Sequence, residues 1–171
     1  MSNLCFKLVV SFILVGSYFL LPRYGFTFHG PLINHLLYPL SHANIWHLSA
    51  NLLCLWMLRC PTHIITTFVC AVLCSFLPCP QLPLWGSDVF EPTVGYSGAL
   101  FAMVGISWGK IHRFRDMLIQ NKWFLIITAF VPHVNFLIHL YCLLLGYLFG
   151  HFVYPKLSKS FIPCVPKSAN S

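Results

Sequence analysis

The chain has 171 residues, of which 58% are hydrophobic and 8% charged, against roughly 25% charged in a soluble domain, so composition predicts an integral membrane protein of one domain over residues 1–171. A net charge of +7 does not point to nucleic acid, because the basic residues stand singly or in short groups between apolar runs. Only three acids are present, Asp88, Glu91 and Asp116, none within an apolar run, which excludes carboxylate proton relays, paired-aspartate intramembrane proteases and a His-Glu-x-x-His metalloprotease helix.

The first apolar stretch, about 4–21, is followed by Leu20-Leu21-Pro22-Arg23 and no small-x-small cleavage site. It reads as an uncleaved first membrane span and not a signal peptide. Residues 22–41 contain Gly25, Gly30, Pro31 and Pro39 and are too broken for a span. Further spans are predicted at about 43–58, 62–78, 97–112, 119–131 and 136–154, with a polar tail at 155–171. The fold class expected is an all-α membrane protein, a bundle of six transmembrane helices. Crossing ~30 Å of hydrocarbon takes ~20 residues, and the thirteen-residue fifth run would reach about 20 Å.

Basic residues collect on the cytoplasmic side of a membrane protein. A cytoplasmic N-terminus with six crossings puts Lys7, Arg59, Lys110, Arg113, Arg115, Lys122, Lys156, Lys159 and Lys167 on that side. Only Arg23 is left outside, with Asp88 and Glu91. Both termini are therefore expected in the cytoplasm. The eight cysteines contain no Cys-x-x-Cys pair, and Cys54, Cys70, Cys74 and Cys142 read as small packing residues within apolar runs. No metal site is supported by the cysteine and histidine spacings.

Three stretches carry chemistry. His42-x-x-x-x-His47-x-x-x-Asn51 lies where the second span enters the membrane from outside, with His47 and Asn51 on one helix face. The pair either bonds another helix as structural glue or supplies side-chain donors to an oxyanion; the segment alone does not separate the two. Gly95-Tyr96-Ser97-Gly98 opens the fourth span. A small residue there more often serves the approach of a neighbouring helix, and taken alone Ser97 reads that way. His139-x-x-x-x-x-x-Gly146 lies in the sixth.

The fourth and sixth spans have matching stripes of small residues: Gly98, Ala102, Gly105 and Gly109 on one, Gly146 and Gly150 below His139 on the other. If Gly105 meets Gly146, Ser97 stands eight residues above the contact and His139 seven. At 1.5 Å per residue they lie within ~2 Å of the same depth. A serine beside a neutral imidazole suits nucleophilic catalysis. No acid is available to orient the ring as in a triad, so a dyad is expected. Phe101, one turn below Ser97, is placed to pack on the imidazole, although ordinary helix packing more often accounts for any given aromatic. His133 and Asn135 are expected to cap or satisfy the turn before the sixth span, with no chemistry assigned to them.

The three motifs, in this order and on these spans, resemble the rhomboid intramembrane serine proteases over roughly residues 38–152. The resemblance implies Ser97 as nucleophile and His139 as base and then acid. It further implies an oxyanion site of His47, Asn51 and the Ser97 backbone N–H, with His42, Gly95, Gly98, Phe101 and Gly146 supporting. The partners implied are transmembrane protein substrates and the lipid bilayer, with no cofactor, no metal and no nucleic acid. Cys142 stands where the family often has glycine, Phe101 where it often has tyrosine, and the first outer loop lacks a Trp-Arg pair. The function expected is cleavage of transmembrane helices near the outer face. The alternative in the same fold is a catalytically idle protein that binds or retains membrane-protein clients. A transporter or channel would predict an ionisable path or an internal repeat, and neither is found.

Overall fold

The computed structural model describes residues 3–58, 64–80, 92–131 and 134–154. Among these are seven α-helices: α1 (Asn3–Leu20), α2 (Leu32–Leu37), α3 (Ile45–Met57), α4 (Ile64–Ser75), α5 (Ser97–Gly109), α6 (Phe114–Phe130) and α7 (Phe136–Phe152). A 3₁₀ turn, Tyr38–Leu40, follows α2. The β-structure among the described residues is one isolated bridge between Phe26 and Thr93. The fold is all-α. The tail 155–171, Arg59, Asp88, Glu91, His133 and the first residues of the 62–78 run lie outside the described residues.

Helix α5 is the axis of the bundle. Ten of its thirteen residues are buried, so it is apolar on every side and must be enclosed by neighbours. Helices α4 and α7 pack directly on it, and α3 and α6 flank it. Helix α1 lies against α3 and runs opposite to it. Lys7 Nζ donates to the Trp56 carbonyl at 2.7 Å near the end of α3, and Trp56 Nε1 donates to Ser11 Oγ at 3.1 Å. At the other end Ser17 Oγ donates to the Leu40 carbonyl at 2.9 Å. Lys7 is well placed at the end of α3, because the last carbonyls of a helix lack partners and carry partial negative charge.

Two boundaries differ from those that hydropathy suggests. The 119–131 run belongs to a longer helix, since α6 begins at Phe114. Its first turn contains Arg115 and Asp116, and Asp116 pairs with Arg113. These charges hide the turn from an apolar count while favouring a helix start. The 22–41 segment is also more ordered than its glycines and prolines suggest, holding α2 and the 3₁₀ turn.

Among the described residues no helix is long and apolar enough to cross a membrane. The outer surface is nonetheless strongly apolar: Phe12, Leu20, Trp46 and Ile65 are each about four-fifths exposed. Apolar side chains standing out from several helices suit a lipid-facing surface far better than a watery one.

Candidate active site

Helices α5 and α7 run parallel in close backbone contact. A Cβ added to Gly105 would strike the Leu143 carbonyl and lie 2.7 Å from the Tyr147 nitrogen, and one on Gly146 would strike Ala102. One turn further along, Gly109 and Gly150 meet in the same way. No side chain larger than hydrogen fits at these four positions, so the backbones approach as in small-residue helix pairs. The approach puts the start of α5 level with the second turn of α7.

At that level Ser97 and His139 meet. His139 Nε2 lies 2.7 Å from Ser97 Oγ, a short hydrogen bond. With Nε2 unprotonated the serine hydroxyl donates, which is the geometry a general base needs. His139 is buried, and its Nδ1 has no hydrogen-bond partner. The ring is held by packing: Phe101 stacks on it with centroids 4.5 Å apart and planes 16° from parallel. Cys142, one turn below His139, puts its thiol against Gly98, where an added Cβ would lie 3.2 Å from the sulfur. The glycine leaves room for the larger residue on the facing helix.

The segment before Ser97 turns sharply at Gly95, whose φ is +118°, a conformation that L side chains avoid. Its N–H donates to the Tyr38 carbonyl at 2.9 Å. A Cβ there would sit 2.7 Å from His47 Cε1 and 3.6 Å from Asn51 Nδ2, so both side chains gather beside the turn that presents Ser97. His47 and Asn51 are aimed by α3, which Asn44 caps by accepting the His47 N–H at 2.9 Å. Asn51 Nδ2 donates one hydrogen to the His47 carbonyl at 3.0 Å, leaving its second hydrogen unassigned. No side chain caps the start of α5, so its first N–H groups and its positive dipole end face this region.

His42 lies in the link before α3, 1% exposed, edge-on to the His47 ring at 5.4 Å. Neither of its ring nitrogens makes a well-formed hydrogen bond. Burial, with a smaller contribution from neighbouring His47, lowers its pKa from 6.5 to about 4, opposed weakly by the Leu40 carbonyl. The imidazole is neutral at physiological pH.

Ser97, His139, His47, Asn51 and Phe101 all line one cavity of about 350 Å³ between α3, α5, α6 and α7. It is largely apolar and extends along α3 as far as Leu58. Asn121, Phe124 and Thr128 of α6 also face it. Sequence reasoning did not single out Asn121 and Thr128; their seven-residue spacing, which keeps them on one helix face, was the available signal. It also missed Tyr38, whose carbonyl holds Gly95, and nothing local marks that residue. Gly98 and Gly146 act through packing. Among the described residues no three His, Cys, Asp or Glu side chains converge as metal ligands.

No curated protein and no solved structure matches the chain. The family model of the Rhomboid domain matches residues 29–156, most of the chain and every residue of the cavity. The match spans the helices that form the site, and on it the chain belongs to the rhomboid family.

Proposed function

We propose that the protein is an intramembrane serine endopeptidase that cuts transmembrane segments of other membrane proteins with a Ser97–His139 dyad. Rhomboid-family proteins are in general intramembrane serine proteases, although the family includes inactive members. The observation that carries the reading is the 2.7 Å hydrogen bond between His139 Nε2 and Ser97 Oγ inside a cavity of about 350 Å³.

The chemistry follows from these groups. Ser97 Oγ attacks the scissile carbonyl as its proton passes to His139 Nε2. Negative charge develops on the carbonyl oxygen, and His47, Asn51 Nδ2 and the Ser97 N–H are the donors offered to it. Each such donor is worth roughly 10²–10³ in rate. His139 then returns the proton to the leaving amine, and a water activated by the same imidazole hydrolyses the acyl-enzyme. Without an acid on Nδ1 the dyad depends on packing to keep its ring in place. The opening between α3 and α6 is the proposed route for substrate. In the proposed topology both termini are cytoplasmic and the dyad faces the outer leaflet, six crossings being completed by helices shorter than a bilayer is thick.

The test is cleavage of a model transmembrane substrate by purified protein in liposomes, beside Ser97→Ala and His139→Ala. Loss of cleavage in both folded variants is expected. Cleavage surviving Ser97→Ala would sink the mechanism. Labelling of Ser97 by a fluorophosphonate distinguishes a competent dyad lacking its substrate from a client-binding protein with no activated serine.

A further inference from the structure

Asn135 stands immediately before α7 and is 4% exposed. Its Oδ1 accepts the N–H groups of Leu137 at 3.1 Å and Ile138 at 3.3 Å, capping the helix. Capping requires only an oxygen, and Ser, Thr or Asp would serve as well. The amide nitrogen does something else. One Nδ2 hydrogen goes to the Cys79 carbonyl at 2.8 Å and the other to Thr93 Oγ1 at 3.0 Å. All four hydrogen-bonding positions of the amide are used, an arrangement open to asparagine and not to the other capping residues.

Thr93 is itself fixed. Its N–H and C=O pair with the C=O and N–H of Phe26 at 2.9 and 3.0 Å, and two residues later Gly95 is held by Tyr38. Thr93 precedes Ser97 by four residues, and Asn135 precedes His139 by four, one helical turn. The Asn135–Thr93 bond therefore joins the segment bearing the serine to the helix bearing the histidine, one short step from each. Below the dyad, α5 and α7 meet through glycines, whose smooth faces set separation while offering few ridges to resist sliding along the axis. The register along that axis is what the Ser97–His139 hydrogen bond depends on.

We propose that Asn135 is a positioning residue that sets the Ser97–His139 register through its hydrogen bond to Thr93. It acts from outside the reacting atoms. The inference rests on the Ser97–His139 reading above. A misplacement of ~1 Å at a reacting pair costs about 10²-fold in rate.

Thr93→Val removes the acceptor, keeps the shape and leaves the α7 cap intact. Its kcat on a model transmembrane substrate is expected to fall ~10- to 100-fold with KM little changed. The rate of fluorophosphonate labelling at Ser97 should fall in parallel, and Thr93→Ser should restore both. The double variant with Asn135→Ser, which keeps a capping oxygen too short to reach Thr93, should be no worse than the more impaired single variant, because one bond is lost in either case. If Thr93→Val does not fold, Asn135→Ser alone is measured in its place.

A lower melting temperature with an unchanged labelling rate would make the bond merely structural and overturn the inference, as would additive effects of the two substitutions. A readout free of turnover is the ¹⁵N signal of His139 in micelles, which should shift in Thr93→Val and return in Thr93→Ser. Wild-type protein that neither cleaves nor labels would overturn the protease reading, while the His139 signal still decides the positioning. An identical signal in wild type and Thr93→Val overturns the positioning alone.

Discussion

The ring of Phe101 lies parallel to that of His139, centroids 4.5 Å apart, on the helix that also carries Ser97. One helix therefore presents both the proposed nucleophile and the surface that holds the imidazole of its proposed base. Phe101→Ala should lower fluorophosphonate labelling of Ser97 by at least ~10-fold, as a freed ring loses an aromatic contact worth about 0.5–1.5 kcal/mol and its orientation. Phe101→Tyr keeps the face and should label within a few-fold of wild type. Equal labelling in Phe101→Ala and wild type would show that the stack does not orient the base.

Gly95 and His47 make a second dependence. With φ at +118° and a Cβ placed 2.7 Å from the His47 ring, Gly95→Ala is strained twice over. The backbone costs about 1–2 kcal/mol, and the imidazole must move away from the turn. Cleavage should fall by ~10²-fold or more, the scale of a lost oxyanion donor, in protein that still folds. Retained cleavage would remove His47 from the reaction.

The glycine contacts between α5 and α7 predict a contrast within one residue type. Gly105→Ala forces a methyl group into the α7 backbone and should cost about 1–3 kcal/mol. Gly16→Ala, in α1 with nothing within 4 Å of the added carbon, should be neutral or gain about 0.5–1 kcal/mol of helix stability. Thermal unfolding of the two variants in one detergent measures both. Similar effects would mean that the α5–α7 approach is looser than described.

His42 predicts a pH dependence of stability. Its folded pKa of about 4 lies below the ordinary 6.5, so the unfolded chain binds the extra proton between these values. The contribution is complete above pH 6.5 and is lost as pH falls towards 4, amounting to about 3 kcal/mol for a single site. His42→Phe keeps an aromatic ring against His47 and should unfold with a pH slope shallower by up to one proton in that window. An unchanged slope would contradict the burial of His42.

Much of the site was legible because it is written in helix geometry. The level meeting of Ser97 and His139 follows from the rise per residue once Gly105 faces Gly146, and the stripes of small residues mark those faces. The residues proposed for the oxyanion side were legible only in part. His47 and Asn51 share a helix face in the sequence, but their gathering at the Gly95 turn depends on the Tyr38 carbonyl, which is far away along the chain. Asn135 was read as a cap, which it is. Its two amide hydrogens go to Cys79 and Thr93, partners that sequence spacing cannot suggest. The start of α6 was missed because charged residues in a first turn look like a loop to hydropathy.

Composition alone therefore decided the class of protein: so many apolar residues and so few charged ones leave little besides a membrane protein. Helical periodicity decided which side chains share a face, because that depends on local dihedral angles. The tertiary structure decided what those faces meet. The Phe101 stack, the Gly95 turn under Tyr38, the Thr93 bridge to Phe26 and the Asn135 joint each arise between residues distant in sequence. Such contacts form only once the helices have packed, since ordering long stretches of chain is offset by burial that no isolated segment can supply.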